Sequence, residues 1–118
     1  MDEYVVAESG RFGRVVSEPY RSDAVYVNFW SEKLGRYSHS KERVLRSSLR
    51  PAQAADFPDG HRAGFLRHLT GSDREALTAV LSQALERSDA VTDADRAAKL
   101  VNEIVTPSGL RIARALAA

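Results

Sequence analysis

The chain has 118 residues and a mass of 13.0 kDa, the size of one compact domain or of a small domain with a helical appendage. It is 43% apolar and 28% charged, with 17 basic residues against 16 acidic ones, which excludes a disordered chain and a polybasic, histone-like binder. With no cysteine, disulfide scaffolds, thiolate zinc sites, iron–sulfur clusters and cysteine nucleophiles are excluded too.

No apolar run approaches the roughly 18 residues of a membrane span, and the acidic start Met1-Asp2-Glu3 is no signal peptide. The expectation is a cytoplasmic protein without a membrane partner. Basic charge is almost all arginine, 14 Arg against 3 Lys, a bias that GC-rich coding of the actinobacterial or phage kind produces. Its distribution is uneven. Residues 10–50 hold nine basic and four acidic residues, a net of +5, whereas residues 51–118 are net −1.

The first half reads as short strands. Tyr4-Val5-Val6-Ala7 is a β-prone run ended by Ser9-Gly10, and Arg14 to Glu18 is a second, stopped by Pro19, which cannot donate to a ladder. From Ala24 to Trp30, Val25, Val27 and Phe29 alternate with Tyr26, Asn28 and Trp30 at period two, predicting a strand with the first set inward. Ser31 to Gly35 is a hairpin-length loop with glycine where a left-handed residue is needed. Arg36 to Ser40 is expected to return as its partner. Leu45 and Leu49 then suggest a short turn and a closing strand ending at Pro51.

About five short strands in some 50 residues suit a small barrel. The stretches Gly10-Arg11-Phe12-Gly13-Arg14-Val15-Val16, Val25 to Trp30 and Arg43 to Pro51 resemble the SH3-like barrels of the KOW and Tudor kind. The resemblance implies a barrel over residues 1–51 and covers under half of the chain.

Residues 52–60, with Pro58-Asp59-Gly60 at their end, read as a linker. Residues 61–118 then take helical period, giving three to four helices that pack on the barrel or on a partner. His61 to Leu69 forms a short helix. Ser72 or Asp73 caps the next, whose stripe is Ala76, Leu77, Val80, Leu81, Ala84 and Leu85. Thr92 with Asp95 resembles a capping box before a helix that buries Ala94, Ala97, Ala98, Val101, Ile104 and Val105. Pro107 opens the last helix, with Leu110, Ala113, Leu116 and Ala117 on its stripe. Small residues on these faces allow close helix approach but bury little area, so the sequence leaves monomer and homodimer open. The fold class expected is α+β.

Few residues suggest catalysis. His61 and His68 are seven apart, not at the three- or four-residue spacing of helical metal ligands, so no metal or other cofactor is expected. His39 lies on the expected return strand without a positioned nucleophile. Gly10-Arg11-Phe12-Gly13 matches the bare G-x-x-G of backbone clamps, but it leads into a strand and reads as a turn with two flexible residues.

The aromatics say more. Tyr20, Tyr26, Trp30 and Tyr37 interleave with Arg14, Arg21, Arg36 and Arg43, and Tyr26 and Trp30 occupy the outward phase of the best strand. Such groups stack on bases or anchor a protein partner unless helices cover them. The sequence therefore predicts a non-catalytic binding module, possible roles in transcription included, that contacts protein or nucleic acid through Arg14, Tyr26, Trp30, Lys33, Arg36 and Tyr37. The alternative is a small ribonuclease toxin of the MazF/PemK type, which also couples an SH3-like barrel to helices and which Leu69 to Leu77 faintly resembles, or a phage or accessory inhibitor of a host complex.

Overall fold

The computed structural model describes residues 3–88 and 93–117. The fold is α+β, a six-stranded antiparallel sheet followed by helices, and the chain divides into two compact units, Met1–Ala52 and Gln53–Ala118.

In the first unit, β1 (Glu3–Ala7), β2 (Phe12–Ser17) and β3 (Ala24–Ser31) form an antiparallel meander. The period-two pattern of β3 sends Val25, Val27 and Phe29 inward as expected, where they join Val5 in the core with Ala7, Val15, Val44 and Leu49 packed around them. β2 begins two residues earlier than its β-branched run suggests. Gly13 lies opposite Phe29 inside the sheet, and a Cβ there would stand 2.5 Å from Cγ1 of Val27. Gly13 is thus a close-packing position, and only Gly10, at φ +86, serves the preceding turn. The reading of two flexible turn glycines is corrected accordingly. A register shift between Val15 and Ser17 forms a bulge that leaves Val16 exposed.

The 31–35 hairpin forms as expected. Gly35 takes φ +65 and donates its N–H to the Ser31 carbonyl at 2.8 Å. The return strand is shorter than the sequence suggests: β4 is only Arg36–Tyr37, and His39 lies exposed on the bend beyond it. Glu42–Leu45 forms a further strand, β5, which pairs with the first half of β3, while β4 pairs with its end. This strand is hard to read because Val44 is its single apolar residue on the core side. A 3-10 turn (Arg46–Ser48) leads to β6 (Leu49–Pro51), which pairs with β1 and ends at Pro51 as expected.

The sheet order is β4-β3-β2-β1-β6, with β5 also on β3. No ladder joins β5 to β6 among the described residues, so the sheet is open where a closed barrel was expected. The 3-10 turn carries the chain from one edge strand to the other; its Arg46 N–H donates to the Asp23 carbonyl at 2.8 Å and its Ser48 carbonyl accepts from the Glu8 N–H at 3.2 Å. Side chains bridge as well: Arg46 binds Glu3 at 2.9 Å and also Glu18, and Arg11 binds Glu42 at 2.9 Å while its guanidinium lies 3.9 Å over the Phe29 ring.

The second unit contains a 3-10 turn (Ala54–Asp56), α1 (Arg62–Arg67), α2 (Gly71–Ser88), α3 (Ala94–Ile104) and α4 (Pro107–Ala117). The segment read as a linker contributes to this unit: Phe57 is fully buried, its ring against those of His61 and His68. Nδ1 of His61 caps α1, accepting from the Gly64 N–H at 3.3 Å. Both histidines thus pack and cap at a helix end. α2 is capped by Thr70, not by Ser72 or Asp73. The Thr70 hydroxyl accepts the Asp73 N–H, and the Asp73 carboxylate accepts the Thr70 N–H, each at about 3 Å. Thr92 lies outside the described residues; Asp93 caps α3 through the N–H groups of Asp95 and Arg96.

Helical periods were legible, but burial along them is lower than expected. α3 has no fully buried residue, with Ala94 and Ala98 exposed and Ala97, Val101, Ile104 and Val105 half-buried. On α4, Leu110 and Ala113 are buried, whereas Leu116 and Ala117 are exposed. The many alanines supply too little apolar area to draw these faces fully inward. No helix among the described residues is long and apolar enough to cross a membrane.

Candidate functional site

The outward phase of β3 builds a stripe. Residues directly opposite in a ladder share a face, so Tyr26 lies with Arg43, Asn28 with Arg14, and Trp30 with Tyr37. Tyr26, Asn28 and Trp30 recur every second residue, which spaces Tyr26 and Trp30 by about 13 Å along the strand. The Trp30 and Tyr37 rings meet edge-on at 5.1 Å, and the Arg14 guanidinium lies 4.5 Å over the Tyr37 ring. At the other end the Lys41 ammonium lies 4.7 Å over Tyr26. Beyond it, the β2–β3 turn exposes Tyr20, with the Arg21 guanidinium 5.2 Å from its ring. Arg21 holds a left-handed backbone at φ 55, a conformation that costs a non-glycine residue about 1–2 kcal/mol.

Of the six residues expected from sequence, Arg14, Tyr26, Trp30 and Tyr37 fall on this stripe. Trp30 and Tyr37 are half-buried. Lys33 is exposed on the hairpin turn, and Arg36 pairs with Ser31 and points away from Tyr37, since neighbours in a strand alternate. Further residues share this face: Asn28, Lys41 and Arg43, and at its Arg14–Tyr37 end the buried rings of Tyr4 and Phe12, stacked on each other, with Phe12 6.4 Å from the Tyr37 ring. The period-two spacing of Lys41 and Arg43 was the available signal, but it sits in a run too polar to read as a strand.

Asn28 is the most informative of these. Its Oδ1 is buried and has no hydrogen-bond partner in the protein. Leaving a buried acceptor unpaired costs about 1–3 kcal/mol. The cations of the stripe are not spent on ion pairs either: among the described residues Arg14, Lys41 and Arg43 form no salt bridge, in contrast to Arg11 and Arg46. Two cations resting on tyrosine faces, Arg14 on Tyr37 and Lys41 on Tyr26, with Arg43 opposite Tyr26 and a half-buried tryptophan beside them, form a surface of π-faces and positive charge.

Two carboxyls with displaced pKa values, Asp73 and Asp59, lie elsewhere, in the helical unit. Asp73 is only 1% exposed; burial pushes its pKa up, but the Thr70 N–H, the Arg114 guanidinium and the Thr70 hydroxyl outweigh that and hold it below the usual value. Asp59 is held down chiefly by the Ser108 hydroxyl at 2.7 Å, despite some desolvation, with help from the Ser108 N–H and Arg111. Both tie helix starts to distant residues and need no catalytic role. Among the described residues, no three potential metal ligands come together.

A cleft of about 320 Å³ lies at the other end of the sheet, between the β1–β2 turn and the start of β6, lined by Glu8, Gly10, Ser47 and Arg50 among others. It is open, and its charges are mixed. Comparison with protein-family models, with curated proteins and with solved structures gives no match.

Proposed function

We propose that this protein is a non-catalytic binding module whose sheet unit engages single-stranded nucleic acid along the Tyr26–Trp30 stripe. The supporting observation is the set of cation–tyrosine pairs on one strand face, Arg14 on Tyr37 and Lys41 on Tyr26, with Trp30 beside them. Bases stack on aromatic faces whatever their sequence, while adjacent cations take the phosphates. A protein partner would use the same aromatics as anchors, but it gives no reason for repeated cation–ring pairs at strand spacing.

The chain contains one tryptophan, so binding reports directly at Trp30. Titration of the full chain with a mixed-sequence single strand is expected to quench that fluorescence, with a dissociation constant in the ~1–100 μM range of non-specific binding. With about three phosphates neutralised, raising salt from about 50 to 200 mM should weaken binding about 20-fold. Arg14→Gln and Lys41→Gln each weaken it without lowering the melting temperature appreciably. Absence of quenching at the lower salt, with the protein folded, would overturn the reading; capture of an acidic protein partner by the same face would replace it.

A further inference from the structure

Asn28 is out of character for its position. Asparagine is among the residues depleted from strands, and here it stands in the middle of the longest one, flanked at two residues on either side by Tyr26 and Trp30. Its cross-strand neighbour is Arg14, a long donor that instead lays its guanidinium over Tyr37. The Asn28 Oδ1 is left buried without a partner. A valine there would satisfy both the strand and the half-buried surface.

We propose that the Asn28 amide reads the base held between Tyr26 and Trp30, its Oδ1 accepting a hydrogen bond from an exocyclic amine. The stripe would then prefer the amino bases cytosine and adenine to thymine and uracil. This rests on the nucleic-acid reading above and adds a specificity determinant to it. Stacking alone is sequence-tolerant, because every base has a π-face. Discrimination needs a directional group, and asparagine is the side chain whose acceptor and donor match an amino base edge. At the edge position where cytosine carries its amine, thymine carries a carbonyl oxygen, which repels an amide oxygen aimed there. In this scheme Arg14, opposite Asn28 in the ladder, leaves Tyr37 for a phosphate as the base approaches.

The test uses the full chain at neutral pH with fluorescein-labelled oligocytidylate and oligothymidylate of about eight deoxynucleotides. Anisotropy is expected to show oligocytidylate bound about fivefold more tightly, the effect of one neutral hydrogen bond. Asn28→Val should bind both with the weaker affinity and melt no lower than the parent. Equal affinity of the parent protein for the two strands, with both bound, overturns the Asn28 assignment and leaves the nucleic-acid reading standing. A preference retained in Asn28→Val also overturns it. Failure of both strands to bind overturns the nucleic-acid reading itself, and this inference with it.

Discussion

Replacing Arg114 by leucine tests how the helical unit is held together. The Arg114 Nε donates to Asp73 Oδ1 at 3.0 Å, a second guanidinium nitrogen reaches the same oxygen, and the Thr70 N–H holds Oδ2 at 3.0 Å. Asp73 is 1% exposed, whereas the Arg114 side chain is 40% exposed. Breaking a fully buried pair by removing one partner costs about 3–5 kcal/mol, because the other charge is left uncompensated. Here water already reaches the arginine side, and the Thr70 bonds remain. The expected loss is therefore smaller, about 2 kcal/mol.

Urea unfolding followed by helical circular dichroism measures it. The pH dependence supplies a second reading with a definite sign. The folded-state pKa of Asp73 is depressed, so its contribution is complete above the unfolded value of about 4 and is lost as pH falls through the folded one. Without Arg114 the burial effect is less opposed, and the acid-side loss moves to higher pH. A change below about 0.5 kcal/mol, with an unaltered acid limb, would refute the assignment of this pair as a main tie between α2 and α4.

Gly13→Ala forces a Cβ to 2.5 Å from Cγ1 of Val27 and 3.0 Å from Cδ1 of Phe29, both of them core side chains; thermal melting should register an overpacking cost of about 1–3 kcal/mol. Arg11→Ala removes both the half-exposed pair with Glu42 and the stacking over Phe29, and is expected to cost about 1 kcal/mol in urea unfolding. Glu42→Gln should cost under about 0.5 kcal/mol, since the stacking survives and the lost pair is screened by water.

What could be read from sequence follows from where physical signals are local. β3 and α2 carry their periods in full, and the Gly35 turn and the stop at Pro51 are dictated by backbone chemistry within a few residues. Several missed features depend on packing that a short stretch of sequence does not declare. Glu42–Leu45 becomes a strand because β3 offers it an edge, and Phe57 is buried by ring packing against His61 and His68 that turn composition around Pro58 conceals. The Thr70–Asp73 cap is a local pair three residues apart, but the Arg114 partner of Asp73, 41 residues away, leaves no local signal. At the site, Arg14, Tyr26, Trp30 and Tyr37 were visible as an interleaved pattern. Arg36 was misplaced because β4 is too short for its sequence to declare which residue faces the ring.

The stability of Asn28→Val separates a structural role for this residue from a binding one. If Asn28 were structural, its replacement would break something: a hydrogen bond lost, or a neighbour left unpaired. The Oδ1 makes no hydrogen bond, so that cost is missing. Valine instead adds a β-branched side chain to a central strand and removes a buried unpaired acceptor, two changes that each favour folding. An increase of about 1 kcal/mol in unfolding free energy is expected, readable by urea titration beside the parent protein. A decrease of similar size would mean that the amide supports the fold, and its buried oxygen would then be no argument for a ligand. A gain in stability combined with lost discrimination between oligocytidylate and oligothymidylate is the pattern of a residue retained for binding at the fold's expense.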